Sequence, residues 1–160
     1  MLKMNADATL TRYTVFYVGL LLLSGIGAVT MSGLGWYTGL RVPAGSPSQT
    51  LVAVIWLALF LTTTQSVARF WNRELTSARS RLTELIYMAN AGLVILWNYL
   101  FFGLRDLRLA FAAATFVAIS VLVLIVRLWR ADRTSAALLL PFLLWMAFAL
   151  AFSYKLILLN

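Results

Sequence analysis

Five side chains between positions 87 and 101 recur at intervals of three or four residues, which places them on one face of a helix. In order they are Tyr87, Asn90, Val94, Trp97 and Phe101. The face is aromatic and carries one carboxamide, which is costly in an apolar medium unless it meets a partner. We therefore expect Asn90 to point into a helix bundle or a cavity, either as an inter-helix hydrogen bond or as a ligand contact.

Aromatic side chains at helical spacing occur in two further segments. Trp56 and Phe60 lie one turn apart, and a later segment carries Trp145, Phe148, Ala149 and Phe152. Such stripes usually serve packing. Tryptophans on several helices, with no ion-pair relay beside them, favour an apolar pocket for a flat ligand over an ion or proton path.

The residue types that the chain lacks exclude most catalytic chemistry. The sequence contains no Cys and no His. This removes disulfides, zinc sites, thiol nucleophiles, imidazole bases and the two commonest protein ligands of haem iron. We predict no catalytic residues and no metal site, and the only plausible enzymatic activity is chemistry centred on a bound ligand.

The composition is that of an integral membrane protein. Of 160 residues, 62% are hydrophobic and 11% are charged, whereas soluble domains carry about 25% charged residues. Lys and Arg outnumber Asp and Glu by 13 to 5. These basic residues lie in short connections between apolar runs, where they orient a membrane protein, so we do not expect nucleic-acid binding.

Five apolar runs are each long enough to cross a hydrocarbon core of about 30 Å as a helix. They cover residues 13–34, 51–68, 85–104, 109–126 and 136–159. The first is longer than a signal-peptide core and has no convincing cleavage site, so we expect it to be a retained span. Because an open sheet is not available in lipid, the sequence predicts an all-α integral membrane fold, one domain over residues 1–160, built as a bundle of five transmembrane helices.

The distribution of basic residues predicts the orientation in the membrane. One face collects Lys3, Arg12, Arg69, Arg73, Arg79, Arg81, Arg127, Arg130 and Arg133, and the other has Arg41, Arg105, Arg108 and Lys155. The positive-inside rule then predicts a protein of a prokaryotic plasma membrane with its N-terminus on the cytoplasmic side. Insertion into an outer or organelle membrane is the alternative and would void this orientation.

Two helices carry small residues at every fourth position, which allows close backbone approach in lipid. The stripes are Ser24, Ala28 and Ser32 on the first span and Ala110, Ala114 and Ala118 on the fourth. Stripes of this kind usually pack within a monomer, and a dimer contact is the alternative.

The longest polar interruption is residues 35–47, the lid loop. It contains Trp36 and Tyr37 together with Gly35, Pro43 and Pro47. Glycine and proline disfavour a continued helix, so we expect an ordered loop at the membrane face. It is either an aromatic-belt anchor joining two spans or the lid of a binding site.

Taken in order, these segments resemble the translocator protein family, also called tryptophan-rich sensory protein or peripheral benzodiazepine receptor. The resemblance rests on Gly-Trp-Tyr-Thr-Gly-Leu at 35–40 with Pro43, Pro47 and Trp56 after it, on Trp97 with Phe-Phe-Gly at 101–103, and on Leu-Leu-Pro-Phe-Leu-Leu-Trp-Met-Ala-Phe at 139–148 followed by Tyr154 and Asn160. It covers nearly the whole chain.

The resemblance implies a five-helix bundle that dimerises and binds porphyrins, sterols in animals, and synthetic ligands in a cavity closed by the first loop. Carried over by position, the pocket uses Trp36, Tyr37, Leu40, Pro43, Trp56, Phe60, Trp97, Phe101, Trp145, Phe148 and Ala149. No cofactor is required, and the expected partners are membrane lipid, a porphyrin-like or other lipophilic molecule, and a second copy of the chain.

The sequence departs from the family pattern at three positions. Val94 and Ser153 stand where relatives have Asn, and Val54 stands where they have Pro. Asn90, one turn from Val94, is a candidate for the missing carboxamide. The C-terminal sterol pattern is incomplete because Lys155 directly follows Tyr154, so we do not predict cholesterol binding.

Three functions compete at this point. The first is tetrapyrrole binding with a transport, sensory or scavenging role. The second is light-dependent degradation of a bound porphyrin. The third, a small lipophile or metabolite transporter, would need internal repeats or a membrane-embedded charge, and the sequence has neither.

Overall fold

The structure is a computed structural model that describes residues 19, 33–73 and 78–160. Within these ranges the chain forms helices and no strand. The helices are α1 (Gly33–Thr38), α2 (Gln49–Arg73), α3 (Ala78–Asn98), α4 (Leu107–Trp129), α5 (Arg133–Ala137) and α6 (Leu140–Leu159), and a π-helical turn (Tyr99–Gly103) extends α3.

Four helical segments are long and apolar enough to cross a membrane. They are Gln49–Trp71, Arg81–Gly103, Leu107–Trp129 and Arg133–Leu159. The second to fifth predicted spans are thereby confirmed as membrane-length helices. The first predicted span, with its stripe of Ser24, Ala28 and Ser32, lies outside the described residues except for its positions 19, 33 and 34, and the fifth transmembrane helix stays a prediction.

The last predicted span is not one continuous helix. It divides into α5 and α6 at residues 138–139, because Pro141 occupies the first turn of α6 and has no N–H to continue a preceding helix. The buried Asp132 caps α5, since its carboxylate accepts hydrogen bonds from the Thr134 amide at 3.2 Å and the Ser135 hydroxyl at 2.7 Å.

The connection between α3 and α4 is short and tightly bonded. The Leu104 amide donates to the Tyr99 carbonyl at 2.9 Å, which closes the π-helical turn, and the Asp106 amide donates to the Leu100 carbonyl at 3.1 Å. Between them Arg105 takes a left-handed conformation with φ of 58°. The Asp106 carboxylate then caps α4 by accepting from the amides of Arg108 and Leu109, both at 2.9 Å.

Helix α4 is the centre of the bundle and packs against both α3 and α6. Its alanine stripe makes this possible: Ala110 and Ala114 are buried at 1% and 2% exposure, and Ala118 packs at the edge of the same core. This small-residue face therefore packs within the monomer. Large apolar side chains on the outside, including Leu85, Val126 and Leu144, are exposed, as expected for helices that face lipid.

A buried polar chain ties α2, α3 and α5 together at the arginine-rich end of the bundle. The Ser66 hydroxyl donates to the Ser135 carbonyl at 2.6 Å and lies 2.8 Å from the Tyr87 hydroxyl, which must then be the donor to Ser66. Arg69 approaches the Asp132 carboxylate at 3.6 Å. Hydrogen bonds between helices stabilise a protein in lipid because the hydrocarbon core has no water to hydrogen-bond an unpaired polar group.

The left-handed conformation of Arg105 generates a stability prediction. We expect Arg105→Gly to stabilise the protein by about 0.5 to 1 kcal/mol, because relief of left-handed strain exceeds the added entropy of glycine in the unfolded chain. The measurement is the midpoint of thermal unfolding in detergent, which should rise. Arg105→Ala is the control: it removes the same charge but keeps the Cβ atom, and an equal rise for Ala would contradict the strain argument.

Candidate functional site

A contiguous set of aromatic rings crosses the bundle between α2 and α3. The ring centroids of Trp56 and Trp97 lie 5.8 Å apart with planes at 30°, and Trp97 stacks on Phe101 at 5.4 Å and 23°. Phe60 lies 5.3 Å from Trp56, one turn along α2. Two faces predicted from their spacing thus meet each other, and they form one aromatic surface.

The π-helical turn contributes to this surface. Trp97 precedes the turn and Phe101 lies within it, where the wider helix changes the direction of the side chain. Phe101 is buried at 6% exposure and contacts Phe102 edge-on at 4.8 Å. Phe101 is therefore the residue at which the surface between the helices continues towards the lid loop.

The lid loop packs directly on the aromatic surface. Trp36 meets Phe101 edge-on at 5.3 Å, and Tyr37 lies 6.1 Å from the same ring. Leu40 joins this cluster, which also includes the buried Leu156 of α6. The loop therefore packs over the ring of Phe101, and its role as a lid stays a prediction.

The prediction of an ordered, non-helical loop over residues 35–47 was wrong for its first part. Residues Gly33–Thr38 form helix α1, because a glycine within a helix costs only about 1 kcal/mol and no proline occurs before Pro43. The irregular part begins at Gly39. There Pro43, half-buried, accepts a hydrogen bond from the Ser46 amide at 3.2 Å, and Gly45 adopts a φ of 79°, which favours glycine.

Asn160, the last residue of the sequence, fastens the lid loop to the end of α6. Its side-chain oxygen accepts from the Arg41 amide at 3.0 Å, and its side-chain nitrogen donates to the Arg41 carbonyl at 3.0 Å and to the Leu156 carbonyl at 2.9 Å. One carboxamide thus pairs with both backbone groups of Arg41, as a neighbouring strand would. From the sequence, Asn160 was a motif residue without a structural role. The available signal was that a carboxamide both donates and accepts, and can therefore pair with a backbone segment.

A small cavity lies beside Trp56 and Trp97. Its volume is about 20 Å³, which is close to the space of one water molecule. The side chains on its wall come from four helices: Trp56, Val94, Trp97, Ala114, Val117, Met146, Ala149 and Ser153. Val117 and Met146 were not among the predicted site residues, and Ala114 was predicted only as a packing residue. All three are ordinary core residue types, so their identity carries no signal of a site.

Two of the three departures from the family pattern lie on the wall of this cavity. Val94 and Ser153 both line it, whereas Val54 is 57% exposed on the outer face of α2. The cavity is therefore more apolar than one with carboxamides at these positions.

Asn90 makes an inter-helix hydrogen bond and does not line the cavity. It is 1% exposed, and its side-chain nitrogen donates to the Ser120 hydroxyl at 2.8 Å. The Ser120 hydroxyl in turn donates to the Val117 carbonyl at 2.7 Å. Of the two roles expected for Asn90, the structure contains the packing role between α3 and α4, and ligand contact by this residue stays a prediction.

The predicted residues of α6 divide into two groups. Ala149 lines the cavity, whereas Trp145 and Phe148 pair with each other at 5.2 Å and Phe148 is 45% exposed. The indole nitrogen of Trp145 is buried and has no hydrogen-bond partner among the described residues. Like Trp56 and Trp97, Trp145 packs against the main core of the bundle.

Comparison with known proteins agrees with the resemblance in the sequence. A model described as the TspO/MBR family matches residues 13–159. The chain is 26% identical to Protein CrtK of Rhodobacter capsulatus, over 92% of this chain and 91% of that protein. It is 30% identical to tryptophan-rich protein TspO of Bacillus cereus, over 78% and 80%, and 27% identical to the translocator protein of Sus scrofa, over 86% and 85%.

The contacts of Asn160 predict that it holds the lid loop closed. Asn160→Ala removes both hydrogen bonds to Arg41, each worth about 0.5 to 1.5 kcal/mol, so the loop should open more often. We expect hydrogen–deuterium exchange at the Arg41 amide to accelerate about tenfold or more. Asn160→Asp keeps the acceptor and loses the donor. Its exchange rate at the Arg41 amide should lie between those of the unchanged protein and Asn160→Ala.

Asn98→Ala is the matched control, because Asn98 donates only within its own helix, to the Val94 carbonyl at 3.0 Å. It should leave exchange at Arg41 unchanged. If Asn160→Ala and the unchanged protein exchange equally fast at Arg41, Asn160 does not hold the loop closed.

Proposed function

The chain belongs to the TspO/MBR family of integral membrane proteins, and on this premise we propose that it binds a planar tetrapyrrole, such as a porphyrin, between its helices. The role of binding would be transport, sensing or scavenging of the ligand. The observation that carries the proposal is the continuous aromatic surface of Trp56, Trp97 and Phe101, roofed by Trp36 of the lid loop.

A flat, largely apolar ligand suits this surface for two physical reasons. Burial of its faces contributes roughly 25 cal/mol per Å², and each ring pair in contact adds about 0.5 to 1.5 kcal/mol. The wall offers few polar groups, with Ser153 as its one side-chain hydroxyl. Such a site discriminates by shape and planarity more than by hydrogen bonding.

Ligand entry requires the site to change shape. The cavity of about 20 Å³ is far smaller than the pockets of roughly 300 to 1,000 Å³ that hold drug-sized ligands. Trp56 and Trp97 would have to separate and the lid loop would have to lift from Phe101, which breaks the Asn160 contacts with Arg41. The proposed cycle is therefore opening of the loop, insertion of the ligand between the rings and closure over it.

The residue types available favour recognition of the porphyrin ring over coordination of a central metal. The sequence contains no His and no Cys, and Met and Tyr are weaker axial ligands for iron. Free-base porphyrin and its breakdown products should therefore bind at least as well as the iron complex.

Light-dependent degradation of a bound porphyrin is the second candidate function. It is favoured by the two indole rings, Trp56 and Trp97, that a bound ligand would touch, and by the buried indole N–H of Trp145. In this function one electron moves from a neighbouring indole to the excited porphyrin, which leaves an indole radical cation and a porphyrin radical anion. Dissolved dioxygen is then the oxidant required for cleavage of the ring, and no acid or base from the protein is needed. Mixing the protein with protoporphyrin in the dark and then in light separates the two functions, because binding needs no light and degradation does.

The aromatic surface generates a prediction for its two tryptophans and for Trp145, which lies on the same core from α6. Trp56→Leu, Trp97→Leu and Trp145→Leu should each weaken porphyrin binding by about tenfold or more, since the loss of one ring contact and its buried area corresponds to about 1.4 kcal/mol. The measurement is titration of purified protein with protoporphyrin in the dark, followed by quenching of tryptophan fluorescence.

Trp129→Leu is the control for these substitutions. Trp129 is 48% exposed at the end of α4, beside Arg130, where anchoring at the membrane interface explains it. This change should leave binding nearly unaltered. The same small effect from all four substitutions would mean that these rings are ordinary packing.

A further inference from the structure

A second and larger cavity lies at the opposite end of the bundle from the lid loop. Its volume is about 220 Å³, and it opens between the start of α3 and the end of α4. Its described wall combines the apolar side chains of Phe70, Val126 and Leu128 with the polar side chains of Thr83, Arg127 and Arg130. The porphyrin proposal makes no use of this cavity.

The described wall carries two positive charges and no carboxylate. Arg127 is held by a hydrogen bond from its Nε to the Thr83 hydroxyl at 3.2 Å, and Thr83 is itself 3% exposed. Arg130 is exposed at the C-cap of α4. Guanidinium groups present several N–H donors in a planar fork that matches the oxygens of a phosphate.

Among the described residues, three features could oppose an anion at this place: the end of α4, the Asp132 carboxylate and the Glu84 carboxylate. The end of α4 carries a partial negative charge, but the Leu128 carbonyl there accepts from the amides of Ala131 and Asp132 at 2.9 and 2.7 Å. The Asp132 carboxylate contacts Arg69 and the Ser135 hydroxyl. Glu84 follows Thr83 in α3 but does not line the cavity.

The position of the cavity along the bundle selects the kind of anion. Trp129, exposed at the same end of α4, is of the type that marks the membrane interface. One turn deeper Val126 is 61% exposed, and two turns deeper Leu122 is 48% exposed. A polar, arginine-lined recess directly above an exposed apolar strip matches an amphiphile with an anionic headgroup and an acyl chain.

We propose that this cavity binds the phosphate of an anionic phospholipid, with Arg127 and Arg130 on the phosphate and an acyl chain along Val126 and Leu122. The inference does not depend on porphyrin binding. It assigns the arginines of the α4 terminus to a defined lipid site, in addition to the general attraction that basic residues exert on anionic membranes.

The test measures lipid binding to the purified full-length chain in a neutral detergent. Short-chain phosphatidylglycerol is the probe, with phosphatidylcholine of equal chain length as the uncharged comparison. We expect phosphatidylglycerol to bind more tightly, and Arg127→Gln with Arg130→Gln to weaken it about thirtyfold while hardly changing phosphatidylcholine. Arg130→Gln alone, at an exposed position that should not affect folding, should weaken it about fivefold.

The matched control is Arg108→Gln with Lys155→Gln, which removes the same charge from exposed positions at the other end of the bundle. It should keep the affinity for phosphatidylglycerol. Equal losses in the two double variants would overturn the site, because the attraction would then be diffuse. Displacement of the lipid by inorganic phosphate at the same concentration would also overturn it, because the recess would then recognise a free phosphate and not a lipid.

Discussion

The close contact of α4 with α3 and α6 is the constraint on which the rest of the structure depends. Lipid provides no hydrophobic force between helices, so their association relies on tight packing and on hydrogen bonds. Ala110 and Ala114 remove the side-chain bulk that would hold the backbones apart, and Asn90 adds a bond to Ser120 across the same interface. With α4 at the centre, α3 and α6 can present their aromatic and small residues to one shared space.

The two ends of the bundle are held by different physical means. At one end a hydrogen-bonded chain through Ser66, Tyr87 and Asp132 joins three helices, with arginines around it. At the other end aromatic contacts on Phe101 and the paired hydrogen bonds of Asn160 hold the lid loop. Among the described residues, this end is held mainly by these rings, by the paired hydrogen bonds and by the small cluster around Leu156, and we expect it to open locally at lower cost than the other end.

The aromatic site is closed and tightly packed in this structure. Trp56 and Trp97 fill the space between α2 and α3, which leaves a cavity of about 20 Å³. Collapse of this kind is expected where large side chains can move, since a void forfeits their dispersion contacts. Val94 and Ser153 on the wall add no carboxamide to this cavity.

Hydropathy and a period of 3.6 residues were enough to predict the membrane class, four spans that are helices in the structure, and the aromatic faces of α2 and α3. The motifs around Trp36 and Pro141 indicated the family. Which of these faces contact each other is known only from the packing of the folded chain. Asn90 donates a hydrogen bond to Ser120 and does not line the cavity. Val117 and Met146 do line it, although core residues of this type carry no sequence signal. Asn160 contacts Arg41, which lies 119 positions earlier in the chain. A period places residues on a face of their own helix, but the rotation and depth of each helix against its neighbours depend on packing between segments distant in sequence.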